Sequence, residues 1–288
     1  MADAPRVLLT GAAGVVGRAA SAALHAAGVD VMPVARAPIA GGHAIDLTGR
    51  FGDGLAKLGA GDRPRTILHL AAAVPSARYP DAPETAALTR AIDRHVLEAA
   101  TAWGAQVVYA SGCSLYDRAD PGFKTPASPL ATGLSPYLQA KHDGERAFGE
   151  IGATVIRLSG PVGPGLPRGV VMKRFVDLAR ADAVLEIWGT GSREQDFIHV
   201  DDAAALLVAA AADPAPGIHN GARGEPTTMD VLAHAVVDVV GSGRVRRADR
   251  DDPCEGENAR YSIAATRARF GWAPRRTLAD MIRSAAEQ

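Results

Sequence analysis

Short apolar runs alternate with longer segments rich in Ala and Leu over the first 160 residues of the chain. Such runs are typical of parallel strands that are buried on both faces. Strands that alternate with helices are joined by right-handed crossovers, which gives a doubly wound parallel sheet. We therefore predict an α/β fold, with strands at Arg6–Thr10, Val31–Ala35, His43–Leu47, Thr66–Ala71, Gln106–Ser111 and Ala153–Leu158, and helices at Gly14–Ala27, Asp53–Leu58, Pro83–Trp103 and Pro136–Ile151.

Charge and cysteine content exclude several classes of function. The 31 Lys and Arg nearly balance the 32 Asp and Glu, whereas proteins that bind nucleic acid or anionic membranes usually carry a basic excess. Two cysteines are too few for a disulfide framework, and no His, Asp or Glu set has metal-ligand spacing. No stretch approaches the roughly 20 apolar residues of a membrane span, and residues 1–6 do not begin a signal peptide. We expect a soluble cytoplasmic protein without a metal that acts on a small molecule.

A glycine-rich loop follows the first predicted strand and opens the first long helix. Gly11 permits the tight turn, Gly14 lets the backbone approach a pyrophosphate, and Gly17 lets the helix pack closely on the sheet. The phosphates then meet the free N–H groups at the positive end of the helix. In a chain with 31 glycines this is alternatively a simple turn, but the strand–loop–helix order favours a dinucleotide-binding loop.

The pattern changes after residue 158, and the chain divides there. Ser159–Pro167 contains three Pro and three Gly, which predicts an irregular loop that leaves the sheet. We predict a Rossmann domain over residues 1–160, to which segments near 195–221 return, and a smaller, irregular α/β substrate-binding part over residues 161–288. Its predicted elements are helices at Val170–Arg180, Asp202–Ala212 (with Asp201 as N-cap), Thr227–Val240 and Leu278–Glu287, and extended segments at Val184–Trp188 and Asp196–Val200.

Tyr137 and Lys141 are four residues apart near the start of a predicted helix that Ser135 caps. A free tyrosine has a pKa near 10, so a phenolate at neutral pH requires a fall of about 3 units. A neighbouring ammonium and an oxidised nicotinamide are able to lower the pKa in that direction. Tyr137 would then exchange a proton with a carbinol or carbonyl oxygen while hydride moves to or from the dinucleotide. Taken alone, the pair also fits an ordinary surface helix.

The G-x-x-G-x-x-G spacing and the Y-x-x-x-K pair resemble the short-chain dehydrogenase/reductase superfamily. The segments Trp188–Asp202, Gly217–Gly221 and Phe270–Pro274 are similar to its extended branch, which contains the NAD(P)-dependent sugar epimerases and dehydratases. The resemblance covers nearly the whole chain and implies an enzyme.

The resemblance implies a set of cofactor-binding residues. Besides the three glycines, Tyr137 and Lys141, with Lys141 on the nicotinamide ribose, it points to Ala13, Val15, Val16, Asp46, Leu47, Leu70, Ala71 and Ala72. An NAD enzyme usually ends its second strand with an acidic residue, but here Ala35 is followed by Arg36. Because a guanidinium binds a 2′-phosphate, we predict NADP(H), with NAD still possible and Arg36 alternatively a surface residue.

The third catalytic group of the family, a Ser or Thr hydroxyl, has no direct counterpart. Aligned on Tyr116, its position is taken by Gly112, so Ser111 and Ser114 are the candidates, the latter if the loop there is extended. Members that remove water or CO₂ carry acids where this chain has Cys113 and Ser114, which weighs against a dehydratase. The lone Cys113 is more typical of a small buried hydrophobe.

In nucleotide-sugar enzymes of this family, the segment near residue 195 reaches the substrate diphosphate through an Arg, and Gln195 stands at that position here. Arg193 or Lys173 is the candidate replacement because a diphosphate requires a fixed cation. Either is equally well explained as a surface cation. His199 and His219 are expected to be structural.

These observations together predict an NAD(P)-dependent oxidoreductase or epimerase that acts at a sugar carbinol or ketone, as a 4-ketoreductase or a 4-epimerase of a nucleotide-activated sugar. Arg36 and the short chain favour the reductase. A reductase of non-sugar ketones and a non-catalytic NADP-binding regulatory protein are the alternatives. The resemblance also implies a homodimer formed through the helices at Pro83–Trp103 and Pro136–Ile151.

Overall fold

The apolar runs of the first half of the chain assemble into one parallel sheet of seven strands, in the order β11-β6-β5-β4-β1-β2-β3. A computed structural model describes residues 6–58, 63–76, 79–166 and 169–287 of the protein. Residues 1–5 and Pro167, to which some of the sequence predictions refer, lie outside these ranges. The doubly wound parallel sheet is therefore confirmed. Its strands are β1 (Arg6–Thr10), β2 (Asp30–Ala35), β3 (His43–Ala44), β4 (Thr66–His69), β5 (Gln106–Gly112), β6 (Thr154–Leu158) and β11 (Gly217–Gly221).

Helices cover both faces of this sheet. On one face α1 packs against α5, and the core between them and the strands includes Leu9, Leu24 and Leu206. On the other face α2 packs against α3 over a core that includes Ile67, Tyr109 and Phe148. These helices span Val15–Ala26 (α1), Pro83–Trp103 (α2), Pro136–Glu150 (α3) and Val200–Ala212 (α5).

A further core lies where α4, α6 and α8 pack together, whereas α7 packs against α5 and β11 of the main sheet. Three two-stranded sheets accompany them: β7 with β10, β8 with β13, and β9 with β12. The strands are β7 (Gly160–Val162), β8 (Val184–Ile187), β9 (Glu194–Gln195), β10 (Phe197–His199), β12 (Thr227–Thr228) and β13 (Arg244–Arg247); the helices are α4 (Val171–Arg180), α6 (Met229–Val240), α7 (Ala264–Phe270) and α8 (Leu278–Ala286). The division of the chain at residue 160 stays a prediction.

Several elements differ from the sequence predictions for local reasons. The third strand is shorter because Asp46 accepts hydrogen bonds from the Thr48 N–H and hydroxyl, which turns the chain. The predicted helix near Asp53–Leu58 consists of two 3₁₀ turns, Phe51–Asp53 and Leu55–Lys57.

The start of α5 and the loop after β6 also differ. The N-cap of α5 is His199 rather than Asp201, since the His199 Nδ1 accepts the Asp201 N–H at 3.1 Å. Part of the loop predicted to be irregular, Gly160–Val162, forms a strand because β10 supplies a parallel partner. The strands β9, β12 and β13 and the helix α7 were not predicted. The helix predicted from Thr227 begins at Met229, because Thr227 and Thr228 pair with β9 and the Thr228 hydroxyl caps the helix.

Among the described residues, no helix combines the length and apolar character that crossing a bilayer requires. Within the same residues, no group of three His, Cys, Asp or Glu side chains is arranged to hold a metal ion.

A buried ion pair ties α3 to the sheet. Arg157 on β6 donates from Nε and Nη2 to the two carboxylate oxygens of Glu145, at 2.8 and 2.6 Å. Both side chains are 3% exposed, so removing either partner leaves a charge without compensation away from water.

We expect Glu145→Gln to lower the free energy of unfolding by about 3–5 kcal/mol because the Arg157 charge stays buried. The matched control is Asp143→Asn on the same helix. Its carboxylate pairs with Arg90 at the surface, so the expected loss is below about 1 kcal/mol. Urea denaturation measures both values, and equal losses would contradict a special role for the buried pair.

Candidate active site

The glycine loop between β1 and α1 packs tightly enough to exclude side chains. Gly11 has φ +70°, and a Cβ there would lie 2.8 Å from the Ala71 nitrogen at the end of β4. A Cβ on Gly17 would overlap the Gly11 carbonyl oxygen. Gly14 is the N-cap of α1 and brings no side chain to the free N–H groups of the first turn. The loop therefore presents bare backbone at a helix N-terminus, as an anion-binding turn requires.

A cavity of about 390 Å³ opens beside this loop, at the carboxyl ends of β1, β2 and β4. Ligands of open α/β sheets bind at this edge. Val15, Val16 and Gly17 form the first turn of α1 and are not among the described lining residues. Tyr137 and Lys141 on α3, which were also predicted to bind the cofactor, are not among them either. The other predicted cofactor residues of the loop and the strand ends all line the cavity: Gly11, Ala13, Gly14, Arg36, Asp46, Leu47, Leu70, Ala71 and Ala72.

The lining suits a dinucleotide. Its walls are mostly apolar, with few polar groups, which is typical of a cofactor site. The bare backbone of the glycine loop fits phosphates, and a side chain on Gly11 would have to displace the end of β4. The residues present therefore fit the group that the sequence predicts.

Arg36 and Asp46 are lining residues of opposite charge in this cavity. Arg36 is exposed and donates a hydrogen bond to the hydroxyl of Tyr79, which also lines the cavity. Hydrogen bonds from the Thr48 N–H and hydroxyl hold the pKa of Asp46 below its usual value, so it stays ionised. The Arg36 guanidinium therefore lies at the wall of the cavity, where a ligand could reach it. Tyr79, which also lines the cavity, was not predicted from the sequence.

The local sequence explains where α3 begins. The Ser135 hydroxyl accepts the Leu138 N–H, and Pro136 occupies the first helical position, as predicted. In addition, the Tyr137 N–H donates to Asp81 Oδ1 at 2.9 Å, a contact that the sequence did not reveal. The carboxylate stabilises the positive end of the helix and ties the first turn of α3 to the segment before α2.

Lys141 is buried one turn further along α3. The side chain packs inside the protein, and its ammonium lies over the Tyr109 ring, 3.9 Å from the centroid. Burial lowers the pKa of Lys141, and the charges of Asp93 and Glu145 oppose that change. The ammonium therefore rests on an aromatic face rather than at the surface.

The phenol of Tyr137 is partly buried, and its pKa is raised to about 12. Loss of solvation is the main cause, and the negative charges of Asp93 and Asp81 add to it. The predicted proton exchange requires a lowered pKa of Tyr137, whereas the protein chain by itself raises it. At neutral pH Tyr137 therefore carries its proton.

The two candidate hydroxyls after β5 have different environments. Ser111 is buried, and in the described part of the chain no group hydrogen-bonds its Oγ. Ser114 is exposed on a 3₁₀ turn over Cys113–Leu115, so the extended loop that was the condition for its role does not form. Cys113 is buried, and burial raises the pKa of its thiol, as expected for a structural cysteine. Ser111 is thus the hydroxyl with unused hydrogen-bonding capacity.

A second cavity of about 390 Å³ lies among the elements after β7. Arg193 lines it and pairs with Asp252, with 3.1 Å between Nε and Oδ2. Trp188 also lines it, with the Arg250 guanidinium 3.8 Å from its ring centroid. Lys173 is not among the described lining residues; it is buried and pairs with Asp177.

Two comparisons with known proteins point to the same family. A model of the "NAD dependent epimerase/dehydratase family" matches residues 7–222. A UDP-glucose 4-epimerase of Mycolicibacterium smegmatis is 28% identical over 240 residues, which is 78% of this chain and 76% of that protein.

Solved structures share the fold over almost the whole chain. The UDP-glucose 4-epimerase of Thermotoga maritima, solved with UDP-glucose, superposes with a TM-score of 0.84 at 20% identity, over 98% of this chain and 97% of that one. The UDP-glucose 4-epimerase of Thermus thermophilus, solved with NAD, gives 0.83 at 22% identity and covers 98% of each chain.

Gly14→Ala tests the predicted cofactor role of the loop separately from its structural role. A Cβ at Gly14 would lie 3.2 Å from the Gly11 carbonyl oxygen, a tight contact that requires a shift of a few tenths of an ångström. Because Gly14 is also the N-cap of α1, we expect a loss of stability of about 1 kcal/mol, too small to unfold the protein. Dinucleotide affinity should fall about tenfold or more because the backbone no longer approaches the phosphates. Calorimetric titration measures it, with Gly149→Ala, in open space on α3, as the control. Unchanged affinity would contradict this assignment of the loop.

Proposed function

The chain belongs to the NAD dependent epimerase/dehydratase family, and from this premise we propose that it transfers hydride at a secondary carbinol or ketone of a nucleotide-activated sugar. The glycine loop and the strand ends around the first cavity would hold the dinucleotide. When bound, the dinucleotide supplies the hydride donor or acceptor of the reaction. The protein supplies the proton, the positioning of both molecules and the exclusion of water.

The observation that carries this proposal is the Tyr137–Lys141 pair at the start of α3. Its phenol keeps its proton, because its pKa is raised to about 12, so it is ready to donate to a carbonyl oxygen. A ketoreductase needs this proton donation, and a 4-epimerase needs it when its ketone intermediate is reduced again, so the protonated phenol is compatible with both reactions. In the reverse direction the same phenol would have to lose its proton before it accepts one from a carbinol.

The second hydrogen bond to the reacting oxygen is assigned to Ser111. Its Oγ is buried and lacks a partner in the described chain, which is costly unless a ligand satisfies it. Gly112, at the position of the family hydroxyl, has no side chain to compete with it. Ser111 would thus supply the hydroxyl that the family places at the position of Gly112.

The second cavity is the proposed site for the nucleotide part of the substrate. Trp188 offers an apolar surface for a base, and Arg193 offers a guanidinium for a phosphate if its pairing with Asp252 loosens. Lys173 is a weaker candidate because its ammonium is already paired with Asp177.

A 4-epimerase is the second candidate. It is favoured by the similarity to the UDP-glucose 4-epimerase of M. smegmatis. Chain length, which the sequence analysis took to favour a reductase, does not separate the two, since the alignment spans 97% of the T. maritima epimerase chain. We propose NADP(H) on the strength of Arg36, although the Thermus structure contains NAD. A homodimer also remains a proposal.

A substrate panel tests the proposal. The purified protein is incubated with NADPH or NADH and nucleotide 4-keto sugars, and the fall in absorbance of the reduced dinucleotide is followed. A parallel assay without added dinucleotide measures interconversion of nucleotide hexoses. Consumption of NADPH indicates the reductase, and interconversion indicates the epimerase. Turnover of simple ketones alone, or tight dinucleotide binding without any turnover, would support the non-sugar reductase or the regulatory protein instead.

Tyr137→Phe removes the proton donor and keeps the ring. We expect kcat to fall about 10²–10⁴-fold with little change in dinucleotide affinity, since proton transfer contributes on that scale. Tyr116→Phe is the matched control, because the Tyr116 hydroxyl is buried against Asn220. Turnover that survives Tyr137→Phe would refute the mechanism.

Arg36→Ala tests cofactor preference. Loss of a charged hydrogen bond to a 2′-phosphate should weaken NADP binding about 10–100-fold and leave NAD binding almost unchanged. Tyr79→Phe frees the Arg36 guanidinium from its hydroxyl partner and should not weaken NADP binding. Equal effects of Arg36→Ala on both dinucleotides would exclude the predicted preference.

A further inference from the structure

A buried carboxylate beside the site has no part in the mechanism so far. Asp93 is 6% exposed and lies on the face of α2 that packs on the sheet. Its Oδ1 is 3.0 Å from the Nε2 of His69 at the end of β4, and its Oδ2 accepts the Tyr109 hydroxyl of β5 at 2.9 Å. A carboxylate removed from water in this way needs compensation for its lost hydration.

The donor and acceptor roles of the groups around Asp93 are fixed by the hydrogen bonds of Thr10. Thr10 Oγ1 accepts the Leu70 and Ala71 N–H groups at 3.2 and 3.3 Å. Its own hydrogen is therefore directed to His69 Nδ1, 2.7 Å away. The His69 ring then carries its proton on Nε2 and donates to Asp93. Burial lowers the pKa of His69, so the ring is neutral, and Asp93 accepts a hydrogen bond on each oxygen.

The Tyr109 ring connects Asp93 to Lys141. One end of Tyr109 donates its hydroxyl proton to the carboxylate, and the face of the same ring carries the Lys141 ammonium, 3.9 Å from its centroid. A ring that is held by its hydroxyl offers a fixed platform for a cation. The position of the ammonium thus depends on the orientation of Tyr109.

The charged groups around Lys141 leave Asp93 as its counter-charge. Two carboxylates act on the Lys141 ammonium: Asp93 on α2 and Glu145 on α3. Both oxygens of Glu145 already accept hydrogen bonds from Arg157. His69 on β4 is neutral, and Tyr109 on β5 is a phenol whose pKa is raised well above normal. Asp93 is also the largest opposing influence on the lowered pKa of Lys141.

Gly144 provides the room for this arrangement. A Cβ at Gly144 would overlap the Tyr109 hydroxyl and lie 2.5 Å from Asp93 Oδ2. Glycine in the middle of a helix costs about 1 kcal/mol relative to alanine. This glycine lies on the helix that carries Tyr137 and Lys141, at the point where the Asp93 carboxylate of α2 meets the Tyr109 hydroxyl of β5.

We propose that Asp93 is a positioning residue for Lys141: acting through the Tyr109 ring, its carboxylate holds the buried ammonium in place and in its charged form. The proposal rests on the proposed function only in giving that ammonium a catalytic use. The negative charge of Asp93 also raises the pKa of Tyr137, and so does the charge of Asp81 in the segment before α2. A negative charge favours the protonated form of both groups, so its removal lowers both pKa values.

The test is Asp93→Asn in the full chain without ligands, followed by NMR of ¹³Cε-labelled lysine. The chain has only four lysines, and Lys141→Met assigns the signal. The ring-current shift of the Lys141 signal reports whether the ammonium still lies over Tyr109, and its titration reports the charge. We expect the ring-current shift to shrink and the pKa of Lys141 to fall by about one unit or more.

Two variants control this experiment. Asp143→Asn removes a carboxylate from α3, the helix that carries Lys141. This carboxylate pairs with Arg90 at the surface, so its removal should leave both readouts unchanged. Tyr109→Phe keeps the core packing and removes the hydroxyl, so the lysine signal should lose part of its ring-current shift. This second variant also tests the proposal if Asp93→Asn does not fold. A folded Asp93→Asn variant with an unchanged Lys141 shift and titration would overturn it, as would an unchanged shift in Tyr109→Phe.

Turnover provides an independent comparison. In Asp93→Asn the pH profile of kcat should move to lower pH, whereas a purely structural defect would reduce its height without moving it. If Tyr137→Phe retains full activity while Asp93→Asn still displaces the Lys141 signal, the proposed function fails and the positioning role stands. The reverse combination refutes the positioning role alone.

Discussion

Lys141 places an ammonium group almost completely out of contact with water, and this costs free energy unless its surroundings compensate. The compensation requires three elements at once. Strand β5 supplies the Tyr109 ring, α2 supplies the Asp93 carboxylate, and Gly144 lets α3 approach both. The packing of α2 and α3 on the sheet is therefore tied to the chemistry of the site, because a small shift of either helix would separate the charge from its partners.

Hydrogen bonds and packing contacts join this cluster to the glycine loop between β1 and α1. Thr10 ends β1 and directly precedes Gly11, and its hydroxyl joins the end of β4 to the His69 ring that faces Asp93. Gly11 in turn packs against Ala71. The backbone that would cradle phosphates and the side chains that would handle protons are thus parts of one hydrogen-bonded assembly at the carboxyl edge of the sheet, where ligands of such folds bind.

The sequence predicts the fold well where local signals and long-range packing agree. The apolar runs, the glycine loop and the Ser135–Pro136 start of α3 fall within a few residues of the observed elements. Short elements such as β7 escape prediction because a distant strand supplies their hydrogen bonds. In the site, spacing points to Tyr137 and Lys141, but the contact of Asp81 with Tyr137 and that of Asp93 with Tyr109 span sequence separations that no local pattern encodes. The same holds for the contact of Tyr79 with Arg36. The raised pKa of Tyr137 was missed for the same reason, since it arises from burial and from two carboxylates on another segment.

Turnover of a nucleotide sugar that carries deuterium on its reacting carbinol carbon tests the central claim most directly. Breaking the bond to that hydrogen as hydride predicts slower turnover than with the protium compound. It also predicts that the label is recovered on the dinucleotide or returned to the sugar, and not in water. Equal rates together with loss of the deuterium to solvent would show that the hydrogen leaves as a proton, and this would contradict hydride transfer at the Tyr137–Lys141 site.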